Sequence, residues 1–375
     1  MSRARRRAAA GSCARAFGAV LAFAAAEPLR AAAPQGGPET YQTLCATCHG
    51  SDGRGEPGKA LFSLEMPDFS DCSFAAREAD LDWIAVTHAG GPARAFSVVM
   101  PAFGDSLDAR TLAEVVAHLR SFCRDARWPR GELNLPRPFY TEKAYPEDEL
   151  VASADAALEG ESALTTELIF EKRIGARHQV EIALPFELAE NAANRHRGGG
   201  IGDLALAAKS AIFHDLERGS ILALGSELLL PTGDDERGRG SGTVIFEPYL
   251  SLGQLVAEDG FVQLQLAGEI PAEGDRGDPE ILTRAALGWS FTAGRFGRSV
   301  TPMLEILNAQ VFDRGRPDDV WDLVPQLQAA LSQRQHLLLS VGVRVPVSDR
   351  DERSVRFVTY LLWDWYDGGF TEGWR

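Results

Sequence analysis

The chain is short of positive charge. Its 38 Lys and Arg stand against 53 Asp and Glu, a formal net charge of −15 over 375 residues. That balance excludes a nucleic-acid partner, which needs a basic face. Cysteine is scarce too, at five residues. A single Cys-x-x-Cys pair occurs, Cys45 and Cys48, and no second pair lies near it to complete a zinc site. Long apolar runs are missing from the start of the chain, where Ala16 to Ala26 is too short for a membrane-spanning helix. What is present suffices for folding. The chain is 45% hydrophobic and 24% charged, so it can bury a core and is not a disordered polyelectrolyte. Its length fits about two or three domains.

Arg3, Arg5, Arg6 and Arg7 precede the Ala16–Ala26 run, and Ala24–Ala26 and Ala31–Ala33 offer small-residue cleavage points. Residues 1–33 therefore read as a secretory signal peptide. Its removal takes away six Arg and Glu27, and Cys13 as well. Four cysteines remain. In an exported, oxidising compartment, pairing Cys72 with Cys123 is the economical choice; two buried free thiols are the alternative.

Cys45-Ala46-Thr47-Cys48-His49 carries the most specific chemistry. Two thiols two residues apart, followed at once by an imidazole, are what covalent haem attachment needs. The thiols add to the porphyrin vinyl groups and the histidine lies under the iron. A Gly-rich loop comes next, Asp52 to Gly58, and a backbone carbonyl near Pro57 is a candidate acceptor for the second N–H of His49. For the opposite face of the iron, Met100 leads, in Met100-Pro101-Ala102-Phe103-Gly104. Met66 and His88 compete, as does an open site. Leu112, Val115, Val116 and Leu119 then mark a closing helix with Asp108 as its N-cap, and His118 falls off its apolar face as a solvated or locally bonded side chain.

Residues 38–124 resemble a class I c-type cytochrome. The likeness lies in Cys45…Cys48-His49-Gly50, Pro67-Asp68-Phe69, the Met100–Gly104 loop and the final helix. It implies an all-α domain holding one covalent haem c, with Cys45 and Cys48 as thioether cysteines. His49 would be the proximal iron ligand and Met100 the distal one.

Pro129, Pro136, Pro138 and Pro146 punctuate residues 125–147, which read as a semi-rigid spacer holding the haem domain away from the C-terminal half. From 148 to 375 period-2 alternation dominates, as in Val180, Ile182, Leu184 and Phe186. Eleven such segments lie between 163 and 365. Short turns alternate with longer polar loops, which is the habit of outer-membrane barrels. An even strand count needs one more strand, and residues 149–156 supply it, so twelve antiparallel strands are expected. Tyr360, Trp363, Trp365, Tyr366 and Phe370 suggest an interfacial aromatic girdle. A soluble β-sandwich would show the same alternation.

This half resembles, more loosely, the channel-like outer-membrane barrels associated with phenol degradation. Gly200–Lys209, Leu228–Asp234 and Gly240-Ser241-Gly242 carry the likeness, and the ending Gly373-Trp374-Arg375 departs from it. The expected protein is an electron carrier, not an enzyme. Its haem domain hangs at the periplasmic rim of a barrel in outer-membrane lipid and meets a periplasmic redox partner protein. Two alternatives stand beside it. One is a channel gated or sensed by the haem domain, its pore lined by Glu181, Glu227, Glu269, Arg284, Glu305 and Arg344; internal salt bridges in a closed barrel are the competing reading of those six. The other is an oxidase of extracellular metal of cytochrome–porin type.

Overall fold

A computed structural model describes residues 36–55, 66–158, 163–190, 197–313 and 316–364. The expected signal segment, Pro57 and the aromatics Trp365, Tyr366 and Phe370 lie outside these residues. No helix among the described residues is long and apolar enough to cross a membrane.

The N-terminal part is helical: α1 (Gly37–Leu44), α2 (Ala46–His49), α3 (Cys72–Ala75), α4 (Asp80–Ala89) and α5 (Ala109–Arg120). The start of α5 is set by Asp108, whose carboxylate accepts the Thr111 amide at 2.8 Å. Its apolar stripe of Leu112, Val115, Val116 and Leu119 is buried, and Val115 and Leu119 pack with Tyr41 and Phe69 in one core. Cys72 and Cys123 form a disulfide across 51 residues, tying the start of α3 to the end of α5. His118 departs from the solvated reading. It packs against Tyr41 and Phe122, at ring distances of 5.2 and 4.9 Å.

The rest is a closed antiparallel β-barrel of twelve staves. Its strands are β1 (Glu149–Ala157), β2 (Ala163–Ile174), β3 (His178–Glu190), β4 (Arg197–Ile201), β5 (Leu204–Asp215), β6 (Ser220–Leu230) and β7 (Ile245–Leu255). They continue with β8 (Gly260–Pro271), β9 (Glu280–Trp289), β10 (Phe291–Thr292), β11 (Ser299–Asp313), β12 (Arg316–Ala330), β13 (Leu337–Pro346) and β14 (Arg356–Asp364). Two staves are broken: β4 and β5 both pair with β3, and β9 and β10 both pair with β11. The barrel closes where β1 pairs with β14, from Glu149 opposite Asp364 to Ala157 opposite Arg356. The strand that parity required before residue 163 is β1.

The two faces of the wall are inverted relative to a soluble sandwich. Leu168, Ile182, Leu184, Phe186, Leu250 and Leu266 are exposed, whereas Glu171, Gln179, Lys209, Gln263, Glu305 and Gln328 are buried. Tyr360 belongs to the inner set. It was expected in an outward girdle but is 2% exposed, and its hydroxyl donates to the Arg137 carbonyl inside the barrel at 2.6 Å. Trp363 is buried as well.

The proline-rich segment is not an external spacer. It runs inside the barrel. Leu133 and Tyr145 pack on Ala211, Ile221 and Ala223 of the wall, Leu135 packs on Phe261 and Met303, and Phe139 meets Tyr360 edge to face at 5.1 Å. Prolines deny this segment a ladder of its own, yet its buried amides and carbonyls need partners. The wall supplies them. Glu305 accepts the amides of Phe139 at 2.7 Å, Tyr140 at 3.1 Å and Thr141 at 2.8 Å, and the Thr141 hydroxyl at 2.9 Å. Gln263 donates to the Pro136 carbonyl, Arg284 donates to the Tyr140 carbonyl, and Gln265 and Gln179 accept the amides of Glu142 and Glu147. Charge is matched too: Arg137 pairs with Glu149 and Glu171, and Lys209 with Glu142.

The helical domain sits on the rim formed by the turns at 293–298 and 331–336. Arg94 donates to the Phe296 carbonyl at 2.6 Å, Glu78 meets His336 at 2.8 Å and Arg77 meets Asp148 at 2.7 Å. The Arg334 guanidinium lies 4.4 Å from the centre of the Phe96 ring.

Replacing Glu305 with Ala strands three buried plug amides, the Thr141 hydroxyl and the Gln326 amide it also accepts. The expected cost is about 3–5 kcal/mol. It is read as a lower unfolding temperature of the detergent-purified protein and faster proteolysis near Phe139–Thr141. Unchanged values for both would show that Glu305 does not hold the segment.

Candidate haem-binding site

Cys45 is the hinge between α1 and α2, and Cys48 and His49 lie on α2. Both cysteines are free thiols and half-buried. The backbone then folds back sharply. Gly50 has φ +76°, and a Cβ there would come 2.7 Å from the Gly55 carbonyl oxygen, so a side chain is excluded. The His49 carbonyl accepts the Gly55 amide at 2.8 Å, and the Tyr41 hydroxyl donates to the Gly50 carbonyl at 2.7 Å. The turn after His49 is thus fixed from both sides.

Burial sets the protonation of this corner. It lowers the His49 imidazole below its usual value, which favours the neutral ring a metal ligand must be. Burial, helped by Cys48, pushes the Cys45 thiol up to about 11. Burial also pushes the Tyr41 hydroxyl up to about 12, with Cys45 and Asp52 adding to it.

The His49 ring touches an aromatic chain, Phe69 at 5.1 Å and Trp83 of α4 a further 5.2 Å on. That chain leads to the element carrying Met100. The Met100 loop is strapped to the end of α4: Phe103 and Gly104 donate their amides to the Thr87 and His88 carbonyls. Gly91 and Met100 are tied by an amide-to-carbonyl bond of 3.1 Å. A Cβ on Gly91 would approach the Ser97 carbonyl oxygen to 2.1 Å, so the loop closes over glycine alone.

The other candidates lie elsewhere. Met66 rests against Gly55, on the loop that returns from His49 itself. His88 faces the barrel. Its Nε2 is 2.8 Å from Arg295 and its ring is 5.1 Å from Phe296, and the same ring lies against Gly104 of the Met100 loop, where an added Cβ would come 2.5 Å from it. Pro57 lies outside the described residues.

These residues fit a c-type haem. Two free thiols and an adjacent imidazole occupy the corner, and the His49 Nδ1 is buried with no hydrogen-bond partner among the described residues. A ligating histidine normally donates from its second nitrogen to an acceptor, the part that the Pro57 loop was expected to fill. Cys45, Cys48 and His49 would hold the group from one side.

What sequence reasoning missed is the coupling of this domain to the barrel. Arg94, Arg295 and Phe296 carry no sequence signal for it, His88 stands in the sequence only as a candidate iron ligand, and three-dimensional proximity alone pairs them. Arg284 and Glu305 were read as lumen-facing, and they are. Their partners are the plug rather than a water-filled pore. Arg344 pairs with Asp322 at 2.6 Å.

Residues 32–119 match the family model described as cytochrome C oxidase, cbb3-type, subunit III. No curated protein matches the chain in sequence. Solved structures similar to it include an outer-membrane channel from Pseudomonas putida F1, at 13% identity and TM-score 0.44, covering 61% of this chain and 99% of that one. The NanC porin matches at 9% identity and TM-score 0.41, covering 58% and 99%. The KdgM porin matches at 10% identity and TM-score 0.38, covering 58% and 99%. The chain thus joins a helical cytochrome domain to a closed twelve-strand antiparallel barrel.

Proposed function

We propose that this protein is a single-haem electron carrier fixed to the outer membrane by a plugged barrel. The observation that carries the reading is the corner of Cys45, Cys48 and His49, in a domain docked on a barrel whose lumen the chain itself fills. Haem c, bound through thioethers at Cys45 and Cys48, supplies one-electron chemistry. His49 and Met100 would ligate its iron. With both ligands supplied by protein, the site would favour outer-sphere transfer over substrate chemistry.

The outward leucines and isoleucines support membrane insertion, because an apolar exterior over a polar interior is stable only in lipid. The rim bearing the haem domain has the short turns, which in such barrels face the periplasm. Its partner is then a periplasmic redox protein, and the acidic balance of the chain favours a basic one. The plug weighs against the channel reading, since Arg284 and Glu305 are committed to it.

Three measurements test this. Met100→Ala should convert a low-spin His/Met spectrum to a high-spin one and lower the potential by on the order of 0.2 V, while His88→Ala leaves the spectrum as it is. An unchanged Met100→Ala spectrum removes Met100 as ligand. Protease added to intact cells should spare the haem domain and cut it after the outer membrane is permeabilised; cleavage in intact cells reverses the orientation. In planar bilayers the full chain should be silent, and deletion of residues 130–147 should open steps of conductance. Steady conductance from the intact chain would favour transport.

A further inference from the structure

The barrel closes on a buried concentration of negative charge. Glu149 opens β1 and Asp364 ends β14, and they stand opposite each other in register. Glu147, arriving from the plug, adds a third carboxylate, and one oxygen from each residue lies within 4.8 Å of the others. All three side chains are buried. Lys143 contacts Glu147 and Glu149. Arg137 also reaches Glu149, but Glu171 offsets it. Three carboxylates against one ammonium leave two negative charges unmatched, and unmatched buried charge is strongly unfavourable.

Asp364 is the independent sign of a missing partner. It is 7% exposed, and its Oδ1 is fully buried and accepts no hydrogen bond among the described residues. The Asn134 amide gives its Nδ2 hydrogen to Glu147 at 3.3 Å, and its buried Oδ1 has no partner either. Every open donor here is a hard oxygen, with no sulfur or imidazole in the set. Each glutamate spends two of about four lone-pair positions on its present neighbours.

We infer that Glu147, Glu149 and Asp364 form a calcium site that locks the seam of the barrel to the plug. A divalent ion cancels the two unmatched charges. Calcium accepts irregular, carboxylate-rich oxygen shells, whereas magnesium demands a near-octahedral one. One ion would join the first strand, the last strand and the plug, three segments joined otherwise by hydrogen bonds, by Lys143 and by the Arg137–Glu149 pair. The site is independent of the proposed redox role, so either can fail without the other.

The test uses the full-length, haem-loaded protein in detergent, stripped with EDTA and titrated with calcium chloride in a calorimeter. One saturable site is expected. A hundredfold excess over Kd should raise the unfolding temperature by roughly 5–10 °C, with no change in the haem spectrum. Magnesium should bind at least about tenfold more weakly. Asp364→Asn should weaken calcium binding by at least about tenfold and, in EDTA, unfold no lower than the unmodified protein, because it removes one unmatched charge. Glu147→Gln serves the same purpose if Asp364→Asn does not assemble. No saturable binding at millimolar calcium overturns the site. So does undiminished binding by both variants, or stabilisation by acid alone, which would show that protons balance the cluster.

Discussion

The architecture depends on one constraint: a chain with no ladder of its own must satisfy its backbone inside a barrel. Residues 129–148 meet it by borrowing. Glu305 alone accepts three consecutive amides, Gln179 and Gln265 accept two more, and Gln263 donates to the Pro136 carbonyl. Those inward polar groups would otherwise be buried without partners, at a cost comparable to the hydrogen bonds lost. Wall and plug therefore need each other. The inward residues Gln179, Lys209, Gln263, Gln265, Arg284 and Glu305 supply donors and acceptors to one extended segment, and removing it leaves them without those partners.

This dependence fixes the haem domain. The segment leaves α5 near Arg124, enters the lumen past Pro129 and returns to begin β1 at Glu149, so both ends of the plug lie at one rim. The domain cannot swing freely on such a short exit. Its docking contacts, Arg94 to the Phe296 carbonyl and Glu78 to His336, use backbone and side chains of the rim turns themselves. Rigidity has a functional sense for an electron carrier, because transfer depends steeply on distance and a fixed haem presents the same edge to each partner.

Much of this was legible from residue order. Cys45 to His49 announces its chemistry at fixed spacing, and the Leu112–Leu119 stripe and the Asp108 cap announce α5. Strand alternation and parity led to twelve strands, including β1, whose own sequence of small residues is a weak signal. The disulfide followed from compartment and count. The plug was not legible. Proline density says only that a segment is extended and lacks a ladder, and an extended segment outside a barrel has the same composition as one inside it. Tyr360 was misplaced for a related reason. An aromatic near the end of a strand suits an interfacial girdle or a lumen contact equally, and only its register, facing Arg137, decides. His88 is a candidate ligand by residue type, and nothing in residue order shows that Arg295, 207 positions away in sequence, is its neighbour.

The plug also bears on which way electrons can travel. One Cys-x-x-Cys-His motif occurs in the chain, and the domain holding it sits at one rim. The apolar band of such a barrel is about 25 Å tall. The plug inside it is hydrogen-bonded protein with ion pairs. Its aromatic residues, Phe139, Tyr140 and Tyr145, are far harder to oxidise than a haem, so they would not extend the path. Under the proposed reading, a single haem at that rim would exchange electrons with partners on that side alone. The barrel would then serve as anchor, and the direction of flow would be set by whichever protein reaches the domain.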